Sequence, residues 1–513
     1  MSAPTFYVTT PIYYVNDSPH IGHAYTTVAC DALSRFMRLD GIEVKFLTGT
    51  DEHGQKVENA AQAAGEAPQD FVDRVSQRFR DLREPLGLTN DDFIRTTEDR
   101  HTASVQRLWR ELVKHDEIYL GTYAGWYSVR DEAFYAESEL VDGMAPTGAP
   151  VEWVEEPSYF FRLSAWQDRL LAFYEENPDA VMPASRRNEV ISFVKGGLLD
   201  LSVSRTSFKW GVPVPDDPDH VMYVWVDALT NYMTAAGYPD TDCDDFKKFW
   251  PADLHMVGKD IVRFHAVYWP AFLMAAGLEP PKRVYAHGWW TSEGQKISKS
   301  LGNAIEPLGL IGKFGLDPVR YFMLREVPFG NDGDFSQRAM INRINGDLAN
   351  DFGNLAQRTL SMIAKNCDRQ VPTPGDFSDD DKVLLAAAGD LLDIMREHMK
   401  VQEFHAALAA QWRVIAEANR YVDAQAPWTL RKTDPARMAT VLYVLAEVIR
   451  RLAILAQPVT PGAAGHMLDQ LAVAEDARGF ANLGADNALT SGTPLPKPQG
   501  VFPRHVEEAE EGT

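Results

Sequence analysis

The chain has 513 residues, 45% of them hydrophobic, and its 50 Lys and Arg against 73 Asp and Glu give a net charge of −23. This composition excludes wholesale disorder and fibrous classes, and the charge argues against a general nucleic-acid coat, though not against a localised basic surface. At roughly 150 residues per domain, the length predicts about three domains.

The cysteines and the N-terminus favour a cytoplasmic protein. Cys30, Cys243 and Cys367 lie far apart and form no CxxC or Cys/His pair, so we expect reduced thiols rather than a disulfide framework. MSAPTFYVTT at the N-terminus lacks the features of a signal peptide. No uninterrupted apolar stretch reaches the roughly 20 residues of a membrane span, so we expect a soluble chain with no membrane partner.

Strands and helices alternate in the first part of the chain. The sequence predicts strands at Phe6–Thr10 and Val44–Thr48 and helices at Ile21–Arg38 and Gln55–Ala64. This order is typical of βαβ units with a parallel sheet. We therefore expect an α/β fold with a Rossmann-like catalytic domain that begins within residues 1–118.

The α/β pattern is interrupted over residues 119–220. The runs GWYSV, EAFYA, VEWV and YFFRL predict an inserted connective domain with its own β structure. Apolar strand candidates resume at Met222–Val226, His255–Val257 and Val284–Tyr285. The second half of a split sheet domain is therefore predicted over residues 221–288.

Helical patterns dominate after about residue 335. Leu348, Phe352 and Leu355 are spaced four and three apart, and similar stripes recur farther along the chain, which predicts amphipathic helices. We expect a lysine-loop and stem-contact region over 289–345, an all-α helix bundle over 346–485 and a loose, solvated tail over 486–513.

A ligand site is indicated by PIYYVNDSPHIGH, residues 11–23, between the first strand and the first helix. Open α/β sheets bind ligands in such loops, and a helix N-terminus favours anions. Gly22 allows a ring or phosphate to approach the backbone, while His20 and His23 flank it. The segment indicates a nucleoside triphosphate; a turn with two exposed histidines is the alternative.

A second candidate segment is Lys296–Ser300, KISKS, flanked by Gly294 and Gly302. Two lysines three residues apart can neutralise charge that develops on a polyphosphate leaving group. A mobile basic surface loop is the alternative for this segment alone. Together, HIGH after the first strand and KISKS after the last resemble the paired signature of the class I aminoacyl-tRNA synthetases.

Within that class, the chain resembles the methionyl-tRNA synthetases over roughly residues 4–460. The resemblance is carried by PIYYVNDSPHIGH, FLTGTDEHG, GWYSVRDEAFY, LSVSRTSFKWGVPVP, YVWVDALTNYM, VGKDIVRFHAVYWP, KISKS, GNLAQR and APW. It implies that L-methionine reacts with ATP to give methionyl-adenylate and pyrophosphate, and that methionine then passes to the 3′ end of initiator and elongator tRNA(Met). The methionine carboxylate is the nucleophile, so catalysis consists of positioning and charge stabilisation.

The resemblance also implies a role for each candidate residue. The catalytic residues are His20, His23, Lys296 and Lys299; Gly22 and Ser298 join them in binding ATP, which brings Mg²⁺. The methionine site comprises Ile12, Tyr14, Asp51, Arg205, Trp225, Leu229, Tyr232, Phe264, His265 and Trp269. The anticodon site comprises Asn354, Arg358 and Trp428.

Several of these residues have an alternative role. Asp51 should receive the α-ammonium and pair with Arg205, but it also fits a helix N-cap. Aromatic walls suit a thioether, although Phe264 and Trp269 also fit ordinary core packing. Some family members carry Pro where Leu229 stands, which leaves the shape of that wall open.

The anticodon residues are predicted from the helical part of the chain. Asn354 and Arg358 are four residues apart on one helix face, and Trp428 follows Pro427 in a helix-connecting loop. The resemblance implies that they read the CAU anticodon by hydrogen bonding and stacking. A helix-surface pair and a buried loop tryptophan are the alternative.

The chain departs from the family in its inserted domain. Many relatives carry a zinc knuckle there, but residues 141–150 contain no cysteine or histidine. Because tetrahedral zinc needs about four such ligands, we expect no structural zinc and no dedicated metal site. The chain also lacks the extra C-terminal domain of some relatives, so we expect a monomer.

Other functions fit the sequence less well. Synthetases for Ile, Val and Leu need several hundred more residues for editing, and a cysteine-specific enzyme needs zinc ligands. A non-catalytic tRNA-binding relative has no need of both phosphate-binding segments. Small HxGH nucleotidyltransferases lack a helix bundle.

Overall fold

The computed structural model describes residues 4–15, 18–131, 133–135, 137–292, 294–296 and 305–506.

The first part of the chain builds half of a parallel sheet. Its elements are β1 (Thr5–Thr9), β2 (Tyr13–Tyr14), α1 (Ile21–Leu39), β3 (Glu43–Asp51), α2 (Gln55–Ala64), α3 (Pro68–Arg80), β4 (Asp92–Arg95) and α4 (Asp99–Lys114). β3 lies between β1 and β4, and β2 pairs with the last two residues of β3. The strands and helices expected here are confirmed, with β3 longer than its apolar run.

The inserted part has its own antiparallel sheet. Its elements are β5 (Ile118–Ser128), β6 (Ala133–Tyr135), β7 (Glu152–Phe161), α5 (Gln167–Glu176), β8 (Val181–Met182), α6 (Ala184–Lys195), β9 (Leu201–Ser202), β10 (Ser204–Arg205), β11 (Pro213–Val214) and β12 (Asp217–Met222). The long β5–β7 ladder forms the body of this sheet, with β6 and β9 outside it. β10, β11 and β12 form a separate small sheet.

The chain then completes the parallel sheet. The elements are α7 (Val224–Thr234), α8 (Asp244–Phe249), β13 (Leu254–Gly258), a π-helical turn (Phe264–Tyr268), α9 (Trp269–Ala275) and β14 (Val284–His287). β13 pairs with β1, and β14 pairs with β13. The split sheet domain is thus present, with its second half beside the first strand of the chain.

One expectation for this region was wrong. The apolar run Met222–Val226 is not a strand, because β12 ends at Met222 and α7 begins at Val224. α7 is buried on nearly every side, and a short apolar run cannot distinguish a buried helix from a strand. One strand of the inserted part, β8, pairs with β14 at the edge of the main sheet.

The last part of the chain is largely helical. Its elements are β15 (Trp290–Ser292), β16 (Gln295–Lys296), α10 (Pro307–Phe314), α11 (Leu316–Arg325), β17 (Gly333–Phe335), α12 (Gln337–Arg343), a π-helix (Ile344–Gly353), α13 (Asn354–Asn366), α14 (Asp379–Lys400), α15 (Phe404–Gln425), α16 (Pro427–Thr433), α17 (Pro435–Ala456) and α18 (Pro461–Gln470). α17 is the central helix of the bundle, because nearly all of its side chains are buried.

A buried arginine joins this bundle to the sheet domain. Arg320 on α11 donates to Asp31 Oδ2 on α1 at 2.6 Å and to the carbonyls of Leu86, Pro458 and Val459. Asp317, one turn earlier on α11, accepts from the first backbone amides of α18. α11 therefore binds the corner between α17 and α18 at two points.

The C-terminal segment is not the loose tail that its composition predicts. Leu495 N–H donates to Arg369 carbonyl, and Val371 N–H donates to Thr493 carbonyl. Phe502 is buried beside Phe352, and the backbone of His505 exchanges two hydrogen bonds with Asn345. Apolar residues spaced among prolines thus anchor an irregular segment as far as residue 506.

Candidate active site

The two histidines of the first motif cap α1. The His20 ring nitrogen Nδ1 accepts from Gly22 N–H at 3.1 Å, and His23 Nδ1 accepts from His20 N–H at 3.0 Å. Their rings lie 3.8 Å apart. Burial and the neighbouring His20 lower the pKa of His23 well below its usual value. Because both Nδ1 atoms accept, the neutral rings present Nε2–H donors.

Of the second motif, only Lys296 lies within the described residues; Ser298 and Lys299 lie outside them. Lys296 pairs with Thr291 in the β15–β16 hairpin. Ile305, the first described residue after this loop, accepts a hydrogen bond from Ile21 N–H at the start of α1. The chain that follows the lysine loop therefore contacts the helix that carries the histidines.

A cavity of about 670 Å³ opens at the carboxyl ends of the parallel strands. It is lined by the histidine motif, by α7 and by the π-helical turn. The predicted site residues along its walls are Ile12, Tyr14, His20, Gly22, His23, Asp51, Trp225, Leu229, Tyr232, Phe264 and His265. Its volume lies in the usual range for a small-molecule site.

Aromatic rings form one end of this cavity. Trp225 and Phe264 stack with centroids 3.9 Å apart, and Tyr232 O–H donates to His265 Nε2 at 2.7 Å. His265 Nδ1 faces the Ile261 carbonyl, so it carries the ring proton. Burial lowers the pKa of His265 to about 4, which keeps this ring neutral at pH 7. The π-helical turn, a feature common at functional sites, presents Phe264 and His265 together.

Asp51 is the last residue of β3. Its carboxylate is buried and lines the cavity, and its backbone is paired with Tyr14. The alternative role as a helix cap is excluded, because α2 is capped by Gly54. Arg205 is buried on β10 with bonds to Ser202 and Ser204. Its pairing with Asp51 stays a prediction.

Trp269 does not line the cavity. It is fully buried, with its ring 6.3 Å from Tyr232 and 6.2 Å from Trp250. It therefore packs behind the aromatic wall, as its alternative interpretation states.

Sequence reasoning missed several residues at the cavity rim. Lys259 and Asp260 follow β13, and His287 ends β14. Trp289 donates to Asp260 Oδ1 at 3.0 Å, and the Lys259 ammonium lies 4.3 Å from the Trp289 ring centre. The signal was available, because parallel strands place such residues at the ligand-binding edge.

The candidate anticodon residues form a separate surface cluster. Asn354 and Arg358 lie on one face of α13, and Arg358 bonds Asp423 on α15 at 3.0 Å. Arg358 also lies over the ring of Trp428 at 5.5 Å. Trp428 is in the short helix α16 rather than a loop, and it is 45% exposed. A large exposed ring beside a guanidinium can stack on an unpaired base.

Within the described ranges, no group of three His, Cys, Asp or Glu side chains could hold a metal ion. No helix in the described part is long and apolar enough to cross a membrane. The three cysteines, all within described ranges, are free thiols.

Comparisons with known proteins decide the family. A family model for class I (M) tRNA synthetases matches residues 6–150 and 144–360, and one for the anticodon-binding domain of methionyl tRNA ligase matches residues 371–512. The chain belongs to the methionyl-tRNA synthetase family. It is a methionine–tRNA ligase, a class I enzyme that activates methionine with ATP and transfers it to tRNA.

Relatives match along the full length. The methionine–tRNA ligase of Mesorhizobium japonicum is 60% identical over 99% of both chains, and that of Brucella suis is 58% identical over 100% of both. A Mycobacterium tuberculosis methionyl-tRNA synthetase, solved with methionyl-adenylate, superposes with a TM-score of 0.95 at 56% identity. It covers 98% of this chain and 100% of its own.

Proposed function

We propose that the histidine-capped end of α1 binds ATP and that the lysine loop closes over its phosphates. The Nδ1 atoms of His20 and His23 accept the cap bonds, so in this proposal the Nε2–H groups donate to phosphate oxygens. Gly22, which has no side chain, takes the adenine against its backbone. Lys296, Ser298 and Lys299 bind the departing pyrophosphate.

Mg²⁺ accompanies ATP in this proposal. The ion neutralises phosphate charge and is held mainly by phosphate oxygens and water. No protein cage is required for that role. The protein's own residues align the methionine carboxylate with the α-phosphorus.

Methionine occupies the cavity between Asp51 and the aromatic pair. The Asp51 carboxylate receives the ammonium, with Arg205 as its predicted partner. The thioether lies against Trp225, Phe264 and Tyr232, because sulfur packs favourably on aromatic rings. Ile12, Tyr14, Leu229 and His265 complete the walls, and Trp269 supports them from behind.

Asn354, Arg358 and Trp428 bind the anticodon of initiator and elongator tRNA(Met). Arg358 can exchange its bond to Asp423 for one to a base or phosphate, while Trp428 stacks on an unpaired base. The chain acts as a cytoplasmic monomer with a zinc-free insertion. Metal analysis of the purified protein tests the last point, since stoichiometric zinc would contradict it.

One observation carries the assignment of the site. A single cavity holds the capped histidines, the buried carboxylate of Asp51 and the stacked aromatic pair. These are the three groups that a triphosphate, an ammonium and a thioether need. A binding-only tRNA protein would have no use for all three.

Lys299→Ala tests the lysine loop. We expect methionine-dependent pyrophosphate exchange to fall about 100-fold or more in kcat, because charge on the leaving group is no longer neutralised. Equilibrium binding of methionine should stay unchanged, and Lys313→Ala, on α10, serves as the control. Equal losses in binding and exchange would indicate a structural role. No adenylate from the unaltered enzyme would instead favour a binding-only protein.

A further inference from the structure

A buried carboxylate outside the cavity joins three elements around it. Asp227, in the first turn of α7, is 1% exposed. Its Oδ2 accepts from His53 Nδ1 at 2.6 Å, and its Oδ1 accepts from His101 Nε2 at 2.7 Å. Burial alone would raise the pKa of Asp227, but the two histidines lower it to about 2. Asp227 is therefore an ionised group that the reaction described above does not use.

The two histidines that bond Asp227 come from different parts of the fold. His101 lies on α4, on the side of α7 away from the cavity lining. His53 belongs to the short segment that follows β3, two residues after Asp51. Only the His53 branch therefore leads to the proposed methionine site.

The segment after Asp51 is held on several sides. The Glu52 carboxylate receives two hydrogen bonds from Arg95, and the Glu52 carbonyl accepts from Trp210 Nε1. The His53 carbonyl accepts from Tyr14 O–H at 2.8 Å, and Tyr14 lines the cavity. His53 thus holds Tyr14 through its backbone while its ring holds α7 through Asp227.

α7 forms another part of the cavity wall. Trp225 and Leu229, each two residues from Asp227, line the cavity, while Asp227 itself does not. The Asp227–His53 hydrogen bond therefore joins two elements that form the wall, α7 and the segment that follows Asp51. Breaking it would remove a direct connection between these two elements.

We propose that Asp227 is a positioning residue for methionine: through His53 it fixes the separation between the Asp51 carboxylate and the aromatic wall on α7. The inference rests on the proposed role of Asp51. Both ends of the amino acid, the ammonium and the thioether, are then bound at once without further ordering of the protein. Ligands that use both ends gain from this arrangement, and ligands that use one end do not.

His53→Leu tests the proposal, with His101→Leu as the matched control. Each variant removes one of the two hydrogen bonds to the same buried carboxylate, so both should lower the melting temperature. We expect only His53→Leu to raise the KM for methionine in pyrophosphate exchange, by about tenfold, the effect of one lost bond to a charged group. The KM for ATP should stay unchanged in both. His53→Asn, whose amide nitrogen can replace Nδ1, should restore most of the methionine affinity.

Two inhibitors sharpen the test. Methioninol has the ammonium and the thioether, whereas 4-(methylthio)butanoate lacks the ammonium. His53→Leu should weaken inhibition by methioninol about tenfold and leave inhibition by 4-(methylthio)butanoate unchanged. Should His53→Leu fail to accumulate, His53→Gln, whose amide lies one bond too far out, carries the same comparison.

Specific outcomes would overturn the proposal. Equal rises in the methionine KM for the His53 and His101 variants, in step with their melting temperatures, would show a purely structural cluster. If His53→Leu weakened inhibition by both compounds equally, the pocket itself would be damaged. The separation between Asp51 and the aromatic wall would then not be the cause. Asp51→Asn separates this inference from the proposed site: an unchanged methionine KM there would remove the role of Asp51 itself. A raised KM in Asp51→Asn with none in His53→Leu would remove only the role of Asp227.

Discussion

Neutral histidines surround the floor and rim of the cavity. Burial lowers the pKa values of His23, His255, His265 and His287 from their usual value, to about 4 for His265. At His265 a second ring proton would also disturb the hydrogen bond that Nε2 accepts from Tyr232. The native protein therefore resists protonation at these positions, whereas the unfolded chain does not.

This difference predicts a loss of stability in mild acid. Between pH 6.5 and about 4, the unfolded chain binds a proton at residue 265 that the folded protein excludes, so stability falls as pH falls. His265 alone should cost about 3 kcal/mol at pH 4. Urea unfolding at pH 7 and at pH 4.5 checks this, with His265→Gln as the comparison. The variant should lose less stability between the two pH values, and an equal loss would contradict the assignment.

Trp428 is the residue through which the helix bundle is expected to act. Trp428→Ala should lower kcat/KM for tRNA charging by about tenfold or more, because base–aromatic stacking contributes roughly 1–3 kcal/mol. Pyrophosphate exchange, which needs no tRNA, should be unaffected. Leu430→Ala, on the same helix but packed toward the core, is the control. A similar loss of exchange activity would exclude an anticodon role.

At the scale of elements, the sequence predicts those helices and strands that depend on short-range sequence patterns. α1, α14 and the βαβ order follow from short-range patterns, and the two phosphate-binding motifs stand out because each is a contiguous segment. α7 and β8 do not follow in this way. α7 is buried on all sides and so has no amphipathic stripe, and the two-residue β8 owes its place to a pairing with β14, about 100 residues later.

Sequence motifs predicted part of the candidate site. Residues that reach the site only through the order of the strands were missed. Ile12, Tyr14 and Asp51 lie in quoted motifs and line the cavity. Lys259 and Asp260 also lie in a quoted motif, VGKDIVRFHAVYWP, but no role was predicted for them. Their place at the cavity, like that of His287, follows from the parallel order of β13 and β14. Trp269 was placed in the site from resemblance, although in the fold its ring is one layer behind Tyr232.

The packing of Phe502 anchors the C-terminal segment, and this can be tested by mutation. Phe502 packs beside Phe352, and its Cβ lies close to Gly353, where an added Cβ would be only 3.3 Å away. Phe502→Ala should therefore lower the free energy of unfolding by about 3 kcal/mol. Val506→Ala, a change at a side chain that is 78% exposed, should have no measurable effect. Equal effects in chemical denaturation would mean that the segment is not anchored by Phe502.

For the whole molecule, the distribution of charge reconciles an acidic chain with an RNA substrate. Residues 289–365, from the lysine loop to the candidate anticodon helix, contain nine Lys and Arg and eight Asp and Glu. This stretch therefore carries a net charge of +1, and the rest of the chain carries −24. Negative charge on the rest of the protein repels tRNA and disfavours incorrect docking orientations. Binding of tRNA should therefore depend on a few specific contacts.

Arg320 supplies a prediction for the whole molecule. Its guanidinium is fully buried and donates to one carboxylate and to three carbonyls, one at Leu86 and two at the adjacent residues Pro458 and Val459. Lysine has no planar fork to reach all four acceptors, so Arg320→Lys should destabilise the protein by about 3 kcal/mol. Arg413→Lys, at an exposed position of α15, should be neutral. Calorimetry of both variants checks the difference, and a neutral Arg320→Lys would contradict the role of this junction.

The junction between Arg320 and Asp31 limits how the helix bundle can move relative to the sheet domain. Rotation of the bundle about the α17–α18 corner would break the buried hydrogen bonds of Arg320 and Asp31. The loss of these bonds would raise the free energy of the protein by several kcal/mol. Arg320 bonds Asp31 on α1, the helix whose first turn carries His20 and His23. We therefore expect a change at the candidate anticodon surface to reach the histidines as a small shift along α11 and α1 rather than through rotation of the bundle.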